Sequence, residues 1–251
     1  MTKAKKVIFT VVSIVAWLLI WELGVSVVNN VAFFAGVGAT LKALVSLLAT
    51  VSFWKTVFFS MLRIAFGFFM GVIIGILLAF ICAKSTFLHH FFSLGISVIK
   101  STPVASIIMI LWIFIGGEKV ASAIALFMVA PIIWQNLTDG FKAIDSGLTE
   151  VADVFGLSGI KRFRLLVFPT LLRYFVAAAL TAVGLAWKSG IAAEIITVAK
   201  NSIGYEIKNH KDYFESDYML AWTLVVITIS VIFENGIRFL VRRFNGYERK
   251  N

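Results

Sequence analysis

The sequence is poor in charge, proline and cysteine, and each scarcity closes off a class of protein. Asp, Glu, Lys and Arg make up only 14% of the 251 residues, against roughly a quarter in soluble domains. A water-facing surface of ordinary composition cannot be built from this chain. Three prolines and no Ser/Gly/Pro-rich tract leave no linker, and no internal repeat is found, so residues 1–251 read as a single membrane domain. The one cysteine, Cys82, lies in an apolar run, which excludes a disulfide framework and a Cys-containing metal cluster. His89 and His90 are adjacent, so on a helix they point about 100° apart, and His210 is distant. They read as flanking or interfacial groups rather than ligands of one metal. No paired acids or nucleophile–base pair argue for an integral-membrane enzyme. No G-x-x-x-x-G-K-[ST] segment occurs either, so the chain has no conventional cradle for nucleotide phosphates.

What remains is apolar. Hydrophobic residues make up 60% of the chain and the mean hydropathy is +0.96. A helix rises about 1.5 Å per residue and a hydrocarbon core is about 30 Å thick, so a span needs roughly 20 apolar residues. Six stretches qualify: Val7–Val28, Val57–Ala83, Phe91–Ile115, Val120–Thr138, Pro169–Val198 and Tyr218–Val241. The fold class is therefore all-α, a polytopic membrane protein with about six transmembrane helices. The N-terminal Lys3, Lys5 and Lys6 ahead of an apolar run suggest a signal peptide, but the run is too long and lacks a small-residue cleavage site, so it reads as an uncleaved first span.

The net charge of +10 fits cytoplasmic loops better than nucleic-acid binding. With the N-terminus inside, cytoplasmic segments hold twelve basic residues: Lys3, Lys5, Lys6, Lys84, Lys142, Lys161, Arg162, Arg164, Arg242, Arg243, Arg249 and Lys250. External segments hold six, namely Lys42, Lys55, Lys119, Lys200, Lys208 and Lys211. The bias places both termini in the cytoplasm. A crossing by Val31–Trp54 would invert everything after it. Leu41, Leu44, Val45, Leu48 and Val51 share one helical face, as in a helix lying on the outer interface, so this stretch is expected not to cross. In the second span, Gly67, Gly71, Gly75, Ala79 and Ala83 form a small-residue stripe. Packing inside one subunit is the expected use, with a dimer seam as the other.

Between the fourth and fifth spans lies a long cytoplasmic loop, 139–168. It reads as a short helix, started by Ser146 or Thr149 and stopped by Gly156 or Gly159. Leu148, Val151, Ala152 and Phe155 fall on one face. Such a helix suits a partner's groove, although an amphipathic hairpin on the membrane surface would read the same way.

The segment resembles the EAA loop of binding-protein-dependent ABC importer permeases, E-A-A-x3-G-x9-I-x-L-P. Glu150, Ala152, Gly156 and Pro169 fall on the pattern, while Val151, Leu166 and Phe168 depart from it but stay apolar. Further similarity in Lys100-Ser-Thr-Pro-Val-Ala105, Leu111–Lys119, Ala186–Glu194 and Asn201-Ser-Ile-Gly-Tyr205 resembles the nitrate/sulfonate/taurine/bicarbonate branch. The resemblance covers nearly the whole chain from about Trp54 onward. It divides the domain into an N-terminal span with an external interfacial segment (1–56) and a core permease region (57–243).

That resemblance implies a non-enzymatic transport subunit of the bacterial plasma (inner) membrane, working as a homodimer in lipid. Its implied partners are a pair of ABC ATPase subunits and an extracytoplasmic solute-binding protein, with no nucleic acid. No cofactor is expected in this chain, and ATP and Mg belong to the partner ATPase. Glu150, Val151, Ala152, Asp153, Gly156, Leu157, Ser158 and Gly159 would form the cytoplasmic coupling helix and its exit. Lys188 and Glu194 are candidates for the translocation pathway of a small, anionic solute such as a sulfonate, nitrate or bicarbonate. Lys188 stands beside Trp187, which as an interfacial anchor would make the lysine a snorkelling group instead. The rival reading is an ion-coupled transporter or channel without an ATPase, using intramembrane charges among Glu22, Arg63, Lys100, Lys188, Glu194 and Glu234.

Overall fold

Where helices begin and end follows the local chemistry of the chain. A computed structural model describes residues 3–28, 30, 32–157 and 159–248; Val31, Ser158, Arg249 and Lys250, named above, lie outside them. The described residues form α1 (Lys3–Val28), α2 (Val37–Leu48), α3 (Val51–Ala83), α4 (Thr86–Ser101), α5 (Val104–Ile115) and α6 (Gly117–Lys142). The order continues with α7 (Ser146–Val154), α8 (Gly159–Arg162), a π-helical turn (Phe163–Val167), α9 (Phe168–Thr197), α10 (Ile203–Asp212) and α11 (Ser216–Glu248). No strand occurs among the described residues, and the fold is an all-α polytopic membrane protein.

Five helical stretches are long and apolar enough to cross a bilayer: Val7–Val28, Val51–Ala83, Gly117–Lys142, Gly159–Thr197 and Ser216–Gly236. The expected single span Phe91–Ile115 is different. It starts earlier, at Thr86, and is broken into α4 and α5 with a bend of 102°. The cause is Pro103, which has no N–H to donate and forces the preceding residue out of helical geometry. Thr102 is accordingly extended, at φ −78° and ψ 131°. The second span also starts six residues before Val57, because the Thr50 hydroxyl accepts the Phe53 N–H at 3.2 Å and caps α3 at Val51.

Only α2, twelve residues long, occupies the stretch before α3, too short to cross on its own. Apart from Leu44, its packed face is not the apolar stripe expected at the interface. Thr40 and Ala43 are buried and Leu44 and Leu47 pack on the core, whereas Leu41, Val45 and Leu48 are exposed. The apolar stripe thus faces away from the protein, as a helix bordered by lipid requires. Glu22 explains itself here: its carboxylate accepts the Val37 N–H at 2.9 Å at the start of α2. Trp21 Nε1 donates to the Ala35 carbonyl at 3.0 Å. These contacts tie α1 to α2, while the α1 side chains along Val7–Leu23 present their apolar surface outward.

The core is built around α6, with α3 and α9 packed along it. The α3 stripe makes this approach close. A β-carbon on Gly67 would fall on the Ser122 carbonyl oxygen, and one on Gly71 or Gly75 would come within 2.8 Å of Val129 or 2.7 Å of Ile133. Ala79 is fully buried, and the stripe ends there; Ala83 is exposed and Cys82 takes the buried position. The small residues thus pack within one subunit, and Ser122 Oγ donates to the Arg63 carbonyl across the seam at 2.8 Å.

Candidate functional site

The loop after α6 folds as a capped helix that hands its apolar side to solvent. Asp145, rather than Ser146 or Thr149, starts α7: its carboxylate accepts the Gly147 N–H at 2.7 Å. Gly156 stops it with φ +64°. The Leu157 N–H bonds back to the Ala152 carbonyl at 2.8 Å and Gly156 N–H to the Asp153 carbonyl at 3.1 Å, the paired bonds of a Schellman motif. Ala152 is 2% exposed and anchors the helix, while Leu148, Val151 and Phe155 are 53%, 51% and 76% exposed. The four do not form one buried face. Glu150 and Asp153 are exposed, Leu157 is half-buried, and Gly159 opens α8 at φ +55°; Ser158 lies outside the described residues. Asp153 accepts from Arg162 at 2.7 Å, bracing α7 against α8.

At the other end of α9, Glu194 is fully buried. Its Oε2 accepts from Ser60 Oγ at 2.8 Å and from the Gly204 N–H at 3.3 Å, and its Oε1 from Arg63 Nη1 at 3.2 Å. Ser60 Oγ in turn accepts the Ile203 N–H at 2.9 Å, and Ser202 Oγ the Tyr205 N–H at 3.0 Å. The first three donors of α10, which no helix can satisfy internally, are therefore taken by α3, α9 and the cap. Gly204 is required, because a β-carbon there would strike Glu194 Cβ. Two sequence segments singled out above, 186–194 and 201–205, thus meet in one polar knot. Ser60 carried no signal in isolation, Gly204 entered only within the 201–205 segment, and Arg63 and Glu194 stood on the sequence as separate charges.

Lys188 is not part of that knot. It is exposed and lines a separate cavity of about 520 Å³ with Leu180, Thr181, Gly184, Leu185 and Glu234. A β-carbon on Gly184 would sit 3.3 Å from Glu234 Oε1, so the acid lies against that glycine. Trp187 is not an interfacial anchor. It is 1% exposed and its Nε1 donates to the Val226 carbonyl at 3.0 Å, because α11 packs over it. His210 is held by Glu215 at 2.6 Å and stacked on Tyr218, a flanking role on the outer helices. Among the described residues no His/Cys/Asp/Glu group is arranged to hold a metal.

A family model described as the binding-protein-dependent transport system inner membrane component matches residues 71–246. That range holds α7, Lys188 and Glu194. The taurine transport system permease protein TauC of Escherichia coli is 24% identical over 77% of this chain and 70% of its own length. The bicarbonate transport system permease protein CmpB of a Synechocystis strain is 25% identical over 75% of this chain and 67% of its own. SsuC of Escherichia coli, named as an aliphatic sulfonates transport permease protein, is 29% identical over 59% of this chain, and the match spans just over half, 56%, of SsuC's own length.

Proposed function

The chain belongs to the family of binding-protein-dependent transport system inner membrane components, and from that premise we propose that it forms the solute pathway of an ABC importer driven by a separate ATPase. The observation that carries this reading is α7: a helix capped at both ends and braced to α8, whose exposed Leu148, Val151 and Phe155 offer an apolar stripe of the kind that lies in a groove on another protein. In this reading the chain is one permease domain, working as a homodimer with two ATPase subunits that bind ATP and Mg. An extracytoplasmic binding protein delivers the solute. Both termini face the cytoplasm of a bacterial inner membrane, so α7 faces the ATPases and the α9–α10 turn faces outside.

The solute is a small anion or carries an anionic group. The names of the relatives, which refer to sulfonates, taurine and bicarbonate, support this, as does Lys188 in a cavity at membrane depth. A lysine in lipid costs roughly 2.5–3.5 kcal/mol at the bilayer centre, and a water-filled or protein-lined space removes that cost. Glu234 in the same cavity tempers the positive field and would keep a bound anion from being held too tightly to leave.

The test is reconstitution of the purified chain in proteoliposomes, alone and with an ATPase co-purified through a tag on the chain. The expected outcome is ATP-dependent uptake only when the ATPase is present, and none with a Val151→Asp change in α7. ATP hydrolysis by the purified chain alone, or solute flux that follows an ion gradient without ATP, would sink the assignment.

A further inference from the structure

A second polar cavity, also of about 520 Å³, opens where the turn between α3 and α4 lies beside the end of α6. Neither α7 nor the Lys188 cavity contributes to it. Its lining is basic. Lys84 is the C-cap of α3, Lys142 ends α6, and His89 and His90 come from the first turns of α4. No carboxylate lines it. Both lysines are exposed, so their charge is available to a ligand.

Among the neutral lining groups, the Ser85 hydroxyl is one that can turn a hydrogen toward an anion. The Ser85 oxygen accepts the Leu88 N–H at 3.3 Å to cap α4, which leaves the hydroxyl hydrogen to donate elsewhere. The His90 Nδ1 lies 2.9 Å from the Thr86 carbonyl; a carbonyl can only accept, so Nδ1 carries the proton and spends it inside α4, and the neutral ring adds no donor to the cavity. Thr138 is 5% exposed and its Oγ1 has no hydrogen-bond partner among the described residues. A buried hydroxyl without a partner is costly. The cavity is far larger than a single halide or nitrate needs and falls in the range of sites for small organic ligands, about 300–1,000 Å³. Its lysines, as compact point charges, suit phosphate.

We propose that this cavity binds a phosphate group carried on a larger molecule, either the headgroup of an anionic phospholipid or a free phosphate ester. With the orientation proposed above it opens at the cytoplasmic end of the spans, where basic pockets between helices meet anionic headgroups. Lys142 is three residues from Asp145, the cap of α7, so the ligand would rest against the segment that delivers the coupling helix.

The test compares the purified full chain with K84Q/K142Q and, as a charge-matched control, K55Q/K119Q, whose lysines are also exposed but lie elsewhere. Native mass spectrometry counts retained phosphatidylglycerol after exchange from mixed phosphatidylglycerol/phosphatidylcholine nanodiscs, and calorimetry measures binding of glycerol 3-phosphate. Each juxtamembrane lysine contributes about 1 kcal/mol toward an anionic headgroup, so K84Q/K142Q should bind about thirtyfold more weakly. K55Q/K119Q and the charge-preserving K84R/K142R should match the unmodified chain. Saturable lipid retention without glycerol 3-phosphate binding identifies a headgroup site, and the reverse identifies a site for a soluble ester. Absence of saturable binding of both probes, or equal loss in K84Q/K142Q and K55Q/K119Q, overturns the proposal. Loss in K84R/K142R equal to that in K84Q/K142Q overturns it as well.

Discussion

Arg63 Nη1 stands 3.2 Å from Glu194 Oε1, and through that pair α3 holds both α9 and the turn after it. The other arginine nitrogen, Nη2, donates to the carbonyls of Lys200 and Asn201 at 2.8 and 3.2 Å. The turn that carries those carbonyls holds Val198 and Asn201 at φ 51°, a conformation that Asn tolerates but that is unfavourable for the β-branched Val198. The ion pair therefore holds in place a turn that local preference would not make.

Removing one member of a fully buried pair costs about 3–5 kcal/mol; Arg63 is partly exposed and keeps its two carbonyl acceptors, so the loss of Glu194 falls toward the lower end of that range. Glu194→Ala should lower the thermal midpoint of the detergent-solubilised chain sharply, and Ser60→Ala should cost less, about 1–3 kcal/mol. A Glu194→Ala protein that melts with the unmodified chain would show that the knot contributes nothing to stability.

Gly67→Val should abolish membrane accumulation, since its side chain would enter the α6 backbone at Ser122. Gly95→Val on α4, where nothing lies within 4 Å of a β-carbon, should accumulate normally. Quantitative blotting of membrane fractions separates the two, and equal levels would contradict the close α3–α6 packing.

At Gly156 there is free space around a β-carbon but φ is +64°, so its requirement is conformational rather than steric. Gly156→Ala should weaken ATPase association and uptake at a local cost of about 1–2 kcal/mol. Gly156→Asn should retain more of both, since Asn tolerates this conformation. Glu150→Lys, at an exposed position, should reduce association without lowering membrane levels. Pull-down of the ATPase reads all three; identical recovery throughout would remove α7 from the coupling role.

Lys188→Gln removes charge at similar length and Lys188→Arg keeps it. If Lys188 admits an anion, Gln should reduce uptake about tenfold or more, given roughly 1.4 kcal/mol per tenfold, and Arg far less. Glu234→Gln should slow release and lower the half-saturating concentration. Equal, near-normal uptake by both Lys188 variants would leave the lysine as a bystander.

The sequence made some of this legible and hid the rest for physical reasons. The Gly67–Ala79 stripe was readable because four-residue spacing is a local property, and so was Gly156, because a helix stop is written in the next few residues. The break at Pro103 was signalled by the proline itself, but a window that averages hydropathy over the whole span cannot register a bend. Trp187 looked like an anchor because tryptophan beside lysine is common at interfaces; only α11, folded back over it, makes it a core residue. The outward stripe of α2 was readable from its spacing, but that Leu44 turns with Leu47 onto the core depends on α3 and α11 packed beside it. The Glu194 knot needed Ser60, 134 residues away, and no local pattern reports a partner at that distance.

The π-helical turn at Phe163–Val167 sets the phase between α7–α8 and α9. A π turn closes its hydrogen bonds one residue later than an α turn, and each surplus residue rotates the downstream helix by about 100°. In an unbroken α-helix the position three full turns after Arg162 would be Arg173; with one residue of surplus it is Tyr174. Arg162 is bound to Asp153 of α7, so the azimuth of α7 about the α9 axis is set by that single extra residue. A deletion anywhere in 163–167 would regularise the helix and yet swing the exposed Leu148, Val151 and Phe155 of α7 about a quarter-turn around the α9 axis.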